Sequence, residues 1–115
     1  MVKSLGLDLH TFLYVDDLAD ACVFLMEKYD ANDVGEFVNI GMGKDLTIEE
    51  LADLVKRTVG FNGDIVWDKS KPDGAPRKLL DVEKIHSLGW KHKIELEEGL
   101  KMYYKWYLNY VEGLQ

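Results

Sequence analysis

The segment from Lys69 to Asp81 contains both prolines of this 115-residue chain, and it constrains the fold more than any other stretch. Pro72 and Pro76 each fix φ at about −65°. Gly74 lies between them and can adopt backbone conformations that are closed to other residues. The sequence therefore predicts a stiff loop that is rich in turns.

The same loop concentrates positive charge in an acidic protein. It holds four of the fourteen Lys and Arg residues of a chain whose formal net charge is −7. The guanidinium of Arg77 presents a planar fork of donors that matches phosphate oxygens, and the ammonium of Lys78 adds a point charge beside it. These two residues predict a diphosphate ligand. The alternative is a solvated surface turn that binds nothing.

Length and composition limit the class of protein. A chain of 115 residues has room for one domain with one core. No apolar run approaches the ~18 residues of a membrane span, and no secretory signal follows Met1, so we expect a cytoplasmic protein with no membrane association. The acidic balance argues against a nucleic-acid partner. The single cysteine, Cys22, excludes an intrachain disulfide and a cysteine metal cluster.

The first predicted helix runs from Leu18 to Tyr29. Its apolar residues recur at helical spacing, which predicts one buried face. That face comprises Leu18, Ala21, Cys22, Leu25, Met26 and Tyr29, so Cys22 is assigned to the core. Asp16 is the predicted N-cap, and Asp17 adds negative charge in the first turn. We prefer this capping role for the two aspartates over a metal or acid/base site.

Three further helices are predicted. Thr47 and Glu50 form a capping box, and Gly60 ends the helix that follows. Its predicted buried stripe is Ile48, Leu51, Ala52, Val55 and Val59. A short helix extends from Asp81 to about Leu88 and ends at Gly89, after which Trp90 closes over the core. The last helix spans Leu96 to Leu114. Its two apolar faces are formed by Leu96, Leu100, Tyr103, Tyr104, Tyr107 and Val111, and by Met102, Trp106 and Tyr110.

Residues 37–40 and 64–67 are predicted as short strands, and residues 30–35 as a loop. The Gly41-Met-Gly43 sequence lacks the third glycine of a dinucleotide-binding fingerprint, because Leu46 occupies that place, so we interpret it as a turn. The predicted fold class is α/β in the mixed α+β sense, with about four helices and two or three short strands. His86 and His10 show no spacing that indicates a metal site.

Several stretches carry a resemblance to a known family. They are Phe12-Leu-Tyr-Val-Asp-Asp-Leu-Ala-Asp-Ala21, Val38-Asn-Ile-Gly41, Leu46-Thr-Ile-Glu-Glu-Leu51, Lys71-Pro-Asp-Gly-Ala-Pro-Arg-Lys-Leu-Leu-Asp-Val82 and Leu88-Gly-Trp90. Together they resemble the C-terminal part of GDP-L-fucose synthases, which are extended short-chain dehydrogenase/reductases. The run that starts at Lys71 is specific to this branch, whereas the Val-Asp-Asp and Asn-x-Gly pieces recur across nucleotide-sugar enzymes.

The resemblance implies a small substrate-binding domain without its Rossmann domain. Residues 12–115 are then the GDP-sugar-binding C-terminal domain, and residues 1–11 are an unmatched N-terminal segment. Arg77 and Lys78 are the implied GDP-sugar ligands, and Asp73 is a weaker candidate that can also brace the loop. Complete relatives use NADPH to epimerise and reduce GDP-4-keto-6-deoxy-D-mannose to GDP-L-fucose.

The chain carries none of the family's catalytic residues. It contains neither a Tyr-x-x-x-Lys pair nor a G-x-x-G-x-x-G fingerprint, so we expect no NADP site and no reductase activity in this chain. Where the family reads Arg-Glu-Phe-Leu-His-Val-Asp-Asp, this chain reads His10-Thr-Phe-Leu-Tyr-Val-Asp-Asp17. His10 thus replaces the arginine that contacts substrate in the family, and a neutral imidazole cannot reproduce a bidentate guanidinium contact. A truncated or diverged gene product, a split gene and an engineered chain all fit this pattern.

A different class of function also fits the sequence. The chain could be a structural or interaction domain that pairs with a separate Rossmann chain or with itself as a homo-oligomer. Exposed Trp and Tyr side chains would support that alternative. A marginally folded fragment with no function is a third.

Overall fold

The structure, a computed structural model, describes residues 9–70 and 80–113. Its elements are β1 (Leu9–His10), α1 (Val15–Lys28), α2 (Ala31–Val34), β2 (Leu46–Thr47), α3 (Ile48–Val59), α4 (Glu83–Ser87) and α5 (Leu96–Gly113). The fold is therefore mixed and mostly helical, with little strand. None of the described helices combines the length and apolarity that crossing a membrane requires.

The sheet consists of two short antiparallel strands. Leu9 of β1 lies opposite Thr47 of β2, and His10 lies opposite Leu46. The strands predicted at residues 37–40 and 64–67 do not form, apart from bridge-type pairing of the single residue Trp67. A strand persists only where a neighbouring strand takes up its N–H and C=O groups, and strand propensity alone does not supply that neighbour.

Helix α1 begins three residues earlier than predicted. Tyr14 is its N-cap and makes no side-chain capping bond, so the assignment of Asp16 as the cap is wrong. Both aspartates instead lie within the first turn, where the positive end of the helix favours them. The loop predicted at residues 30–35 is also wrong in part. It contains the short helix α2, which Asp30 and Asp33 close with a reciprocal capping box.

The buried side of α1 overlaps the predicted face only in part, because Ala21 and Leu25 of that face meet the core. Ala21 is fully buried, whereas Cys22 is exposed, so the placement of Cys22 in the core is wrong. Leu18 is 43% exposed and Met26 is 75% exposed. The side of the helix that contains Ala21 packs against the rest of the domain.

The core lies between α1 and α4. Its buried members are Ala21, Val82, Ile85 and Trp90, and Leu13, Phe24, Leu25, Val38 and Ile40 pack against them. Trp90 is only 3% exposed, which confirms that it closes over the core. Gly89, the residue before Trp90, has φ +105°. The backbone N–H of Trp90 then donates to the carbonyl of Ile85 at 3.1 Å.

Helix α3 confirms the predicted start and end. The Thr47 hydroxyl accepts from the Glu50 N–H at 3.0 Å, and the Glu50 carboxylate accepts from the Thr47 N–H at 2.9 Å. Gly60 ends the helix with φ +73°. The predicted stripe is only partly covered: Leu54 is the buried residue, while Val55 and Val59 are each 37% exposed. Helix α3 contacts α5 and β2, and Val55 and Val59 of the predicted stripe line a cavity together with residues of α5.

Candidate functional site

The three residues proposed from the sequence as ligands of a GDP-sugar lie outside the described residues. Asp73, Arg77 and Lys78 belong to the segment 71–79. The structure does describe both flanks of that segment, residues 68–70 and 80–82. It also describes residues 41–43, which the second flank contacts. The geometry that can be described for the candidate site is therefore that of these flanks and of residues 41–43, which together we call the frame of the loop.

A tight turn precedes the segment. One carboxylate oxygen of Asp68 accepts from the backbone N–H of Ser70 at 3.0 Å and from its hydroxyl at 2.6 Å. The Ser70 hydroxyl, followed by the Ser70 N–H, holds the pKa of Asp68 below its ordinary value. A second carboxylate turn follows the segment, because Asp81 Oδ1 accepts from the N–H of Glu83 at 3.0 Å.

The chain after the segment lies directly on the glycine turn at residues 41–43. A Cβ atom at Gly43 would stand 2.9 Å from a methyl carbon of Val82, and Gly43 has φ +76°. A Cβ atom at Gly41 would stand 3.4 Å from the other methyl carbon of Val82 and 3.8 Å from Leu80 Cδ1. The close approach and the positive φ account for Gly43 without a phosphate ligand, and Val82 and Leu80 lie within ordinary van der Waals contact of Gly41.

A small cavity opens beside the same turn. Its volume is about 170 Å³, and its lining residues are Phe12, Met42, Lys44, Asp45, Leu46, Glu95 and Leu96. Ligand pockets usually start at about 300 Å³. The cavity alone is therefore too small for a nucleoside diphosphate, and a ligand of that size would need further residues to line its site.

The charges at this cavity compensate one another. Lys44 Nζ lies 3.5 Å from Glu95 Oε2, and His92 Nε2 lies 3.0 Å from Glu95 Oε1. The hydrogen bond from His92, and then the charge of Lys44, hold the pKa of Glu95 below its ordinary value. His10, which stands where the family resemblance implies an arginine, lies in β1 opposite the cavity residue Leu46.

Two aspartates of α1 hold the chain that leads into α5. Asp17 is only 2% exposed, and its Oδ2 accepts from the N–H groups of Lys93 at 3.0 Å and Ile94 at 2.9 Å. Asp20 Oδ2 accepts from the indole N–H of Trp90 at 2.9 Å and lies 3.1 Å from Lys93 Nζ. These side chains are occupied by protein donors. Across the described ranges, no group of three His, Cys, Asp or Glu is placed to hold a metal ion.

The sequence did not reveal this role of Asp17. Its position at the start of a helix indicated a contribution to the helix end, but its hydrogen-bond partners are 76 and 77 positions away. One signal was available: Asp17 lies four residues before Ala21, on the side of α1 that is buried. An acidic residue on that side needs donors from another element.

Titration of Asp20 tests the bond between α1 and Trp90. The indole N–H of Trp90, followed by the ammonium of Lys93, holds the pKa of Asp20 below its ordinary value. A depressed pKa means stability that is complete above the ordinary carboxyl pKa of about 4 and lost as pH falls through the folded-state value. We expect Trp90→Phe, which keeps an aromatic ring but removes the donor, to raise the pKa of Asp20.

The measurement is an NMR titration of the side-chain carboxyl carbons between about pH 6 and about pH 2. Glu95 is the internal control, because its pKa is lowered by His92 and Lys44 rather than by Trp90. An unchanged pKa of Asp20 in a folded Trp90→Phe protein contradicts the assignment.

Comparisons with known proteins agree with the resemblance described above. A model of the NAD dependent epimerase/dehydratase family matches residues 2–41. The chain is 54% identical over 111 residues to GDP-L-fucose synthase 1 of Arabidopsis thaliana, covering 96% of this chain and 33% of that protein. It is 45% identical over 114 residues to GDP-L-fucose synthase of Escherichia coli, covering 94% of this chain and 36% of that protein.

A solved structure gives the same result. The fold matches a GDP-mannoheptose C4 reductase from Campylobacter jejuni with NADP bound, at a TM-score of 0.80 and 44% identity. The match covers 91% of this chain and 35% of that reductase. The predicted relationship is thus confirmed, and the chain spans about a third of the length of the relatives that it matches.

Proposed function

We propose that this chain, a homologue of about a third of a GDP-L-fucose synthase, is the substrate-binding part of such a protein and binds the GDP group of a GDP-sugar. Residues 12–115 form the binding domain, and residues 1–11 precede it. Arg77 and Lys78 are the proposed ligands of the diphosphate, and Asp73 is a weaker candidate for contact with the GDP-sugar. The observation that carries the proposal is the Lys71–Val82 sequence, which combines two adjacent cations with the pattern of the fucose synthase branch.

The frame of the loop supports this assignment. A flexible cationic loop loses conformational entropy when it binds an anion, and a loop with fixed ends loses less. The Asp68–Ser70 turn restrains one flank, and the packing of Val82 on Gly43 restrains the other. Pro72 and Pro76 reduce the freedom of the backbone between these flanks.

The proposal assigns binding to this chain and chemistry elsewhere. NADP and the catalytic residues belong to the part of the protein that this chain does not match. The 115-residue chain alone is therefore expected to be inactive. NADPH oxidation by the pure chain with the keto-sugar, at a rate above the buffer blank, is the result that contradicts this expectation.

Stabilisation by GDP tests the binding site. A ligand that binds only the folded state stabilises it by about 2.7 kcal/mol at 100 times its Kd. We expect GDP to raise the midpoint of thermal unfolding and Arg77→Ala to remove most of that increase, because a charge-assisted hydrogen bond contributes about 1.5–3 kcal/mol.

Arg57→Ala is the matched control. Arg57 is an exposed arginine in the last turn of α3, where it precedes Gly60. This variant is expected to respond to GDP as the unsubstituted protein does. An equal response of the Arg77→Ala and Arg57→Ala proteins means that the loop is not the GDP site.

A second candidate function is that of an interaction domain, and the exposed aromatic residues of α5 favour it. Tyr103, Trp106 and Tyr110 are 57%, 55% and 54% exposed. The rings stack with centroids 5.8 Å apart between Tyr103 and Trp106, and 5.4 Å apart between Trp106 and Tyr110. Sedimentation equilibrium distinguishes the two functions. An interaction domain changes its mass with concentration and ignores GDP, whereas a binding domain remains monomeric and responds to GDP.

A further inference from the structure

The carboxylate of Glu95 connects the chain that leads into α5 with the glycine turn at residues 41–43. Its Oε2 lies 3.5 Å from Lys44 Nζ, and its Oε1 lies 3.0 Å from His92 Nε2. Lys44 directly follows Gly43 in the chain. Glu95 therefore uses both of its carboxylate oxygens to join two segments that are far apart in sequence.

The backbone that carries Glu95 is held on both sides. The two residues before it, Lys93 and Ile94, donate their N–H groups to the carboxylate of Asp17 at 3.0 and 2.9 Å. The carbonyl of Glu95 accepts from the N–H of Gly99 at 2.9 Å, in the first turn of α5. The Cα of Glu95 thus has a fixed position relative to α1 and α5.

His92 orients the Glu95 side chain. The imidazole is only 10% exposed, so packing holds the ring that contacts Oε1. An exposed ion pair is usually weak because two long side chains lose rotamer freedom when they form it. At the Glu95–Lys44 pair the carboxylate is already oriented by His92, so the lysine accounts for most of that loss.

The other end of this connection supports the loop at residues 69–81. Gly43, the residue before Lys44, lies so close to Val82 that a Cβ atom on the glycine would stand 2.9 Å from Val82 Cγ2. Val82 directly follows the loop. A displacement of Lys44 therefore moves the turn against which the second flank of the loop packs.

We propose that Glu95 is a positioning residue for the cationic loop: by holding Lys44 it keeps the glycine turn against Val82, and the loop in the arrangement that binds a diphosphate. This inference rests on the proposed GDP site. Glu95 acts through Lys44 and does not contact the nucleotide, because a carboxylate repels a diphosphate. The apparent affinity for a ligand falls with the fraction of protein in the competent arrangement, and removal of the Glu95–Lys44 pair lowers that fraction.

The sign of the effect of Glu95→Gln separates positioning from simple charge attraction. Removal of a negative charge near a diphosphate site strengthens binding if attraction alone operates. Positioning predicts the opposite result, a rise in the Kd for GDP. We expect a rise of about two- to fivefold, since an ion pair between exposed side chains contributes at most a factor of about five. Calorimetric titration of the 115-residue chain with GDP measures the Kd.

Glu97→Gln is the matched control. Glu97 Oε1 lies 3.6 Å from Lys101 Nζ, and this pair is as exposed as the pair of Glu95 with Lys44. Both of its members belong to α5, so the substitution removes the same charge without releasing the glycine turn. The Kd for GDP should not rise. Lys44→Gln completes a double-mutant cycle: in that background, Glu95→Gln should have no further effect.

NMR of the chain without nucleotide provides a second readout. The nuclear Overhauser effect between the α-protons of Gly43 and the methyl protons of Val82 reports their contact directly. We expect this signal to weaken in Glu95→Gln and to persist in Glu97→Gln. Both glutamates are exposed, so both variants should remain folded, which circular dichroism verifies.

Three results overturn the proposal. They are a Kd for GDP that is unchanged or lower in Glu95→Gln, an equal rise in Glu97→Gln, and an unchanged contact signal between Gly43 and Val82 in Glu95→Gln. Failure of the proposed function is a different result, namely no GDP binding by the unsubstituted chain. In that case the contact signal alone decides whether Glu95 positions the flank of the loop.

Discussion

Replacement of Trp90 by alanine is expected to destabilise the protein by about 3–5 kcal/mol, which is the usual cost of removing a large buried aromatic side chain. Trp90 is 3% exposed and belongs to the core with Ala21 and Ile85. Its removal leaves a cavity between α1 and α4. It also leaves Asp20 without its indole donor. Small domains are stable by roughly 5–15 kcal/mol, so the variant loses much of its stability.

Urea unfolding followed by far-UV circular dichroism measures this effect, and Trp106→Ala is the matched control. Trp106 is 55% exposed, and its contacts with Tyr103 and Tyr110 are stacked rings at the surface of α5. Such ring pairs contribute about 0.5–1.5 kcal/mol each. We therefore expect a clearly smaller loss for Trp106→Ala. Equal losses in the two variants would contradict the placement of the core.

Asp17→Ala is expected to cost about 2–6 kcal/mol, which is twice the cost of one unpaired donor. The carboxylate accepts from the N–H groups of Lys93 and Ile94, and its removal leaves both donors without that acceptor. A buried donor left unpaired costs about 1–3 kcal/mol. Without these two hydrogen bonds, the start of α1 no longer contacts the backbone of the chain that leads into α5 through Asp17.

Two other variants serve as comparisons for the free energy of unfolding of Asp17→Ala. Asp17→Asn keeps one oxygen acceptor and should cost less than Asp17→Ala. Asp16→Ala removes an exposed aspartate of the same turn, where interaction with the helix dipole contributes about 0.3–1 kcal/mol. If urea unfolding gives the same loss for Asp16→Ala and Asp17→Ala, the buried hydrogen bonds of Asp17 do not stabilise the fold.

The elements that the sequence predicted well are those with local signals. Thr47, Glu50 and Gly60 define α3 by interactions within a few residues, and no distant part of the chain is needed to form them. The prediction that Trp90 closes over the core after the Gly89 stop is confirmed, because Trp90 is 3% exposed. These features follow from short-range chemistry.

The features that failed depend on neighbours. Periodicity groups Cys22 with Ala21 and Leu25 on one apolar face of α1, but it cannot say where that face stops meeting the core, so the assignment of Cys22 to the core is wrong. Residues 37–40 have the composition of a strand but gain no ladder in the described part of the chain. The hydrogen bonds of Asp17 reach across more than seventy positions, which no local pattern encodes.

The candidate site shows the same division. Its chemistry comes from the sequence, since Arg77, Lys78 and Asp73 were identified by residue type and family pattern. Its frame comes from the structure, because the contact between Gly43 and Val82 joins residues far apart in the chain. The binding of GDP by this loop is a proposal that combines the two.

The central claim is that the loop at residues 69–81 binds GDP, and isothermal titration calorimetry of the purified chain tests it most directly. We predict saturable binding of GDP, no comparable binding of UDP, and loss of the GDP signal in Arg77→Ala. A folded protein that gives no heat with GDP, or an Arg77→Ala variant that binds as the unsubstituted protein does, would contradict the claim.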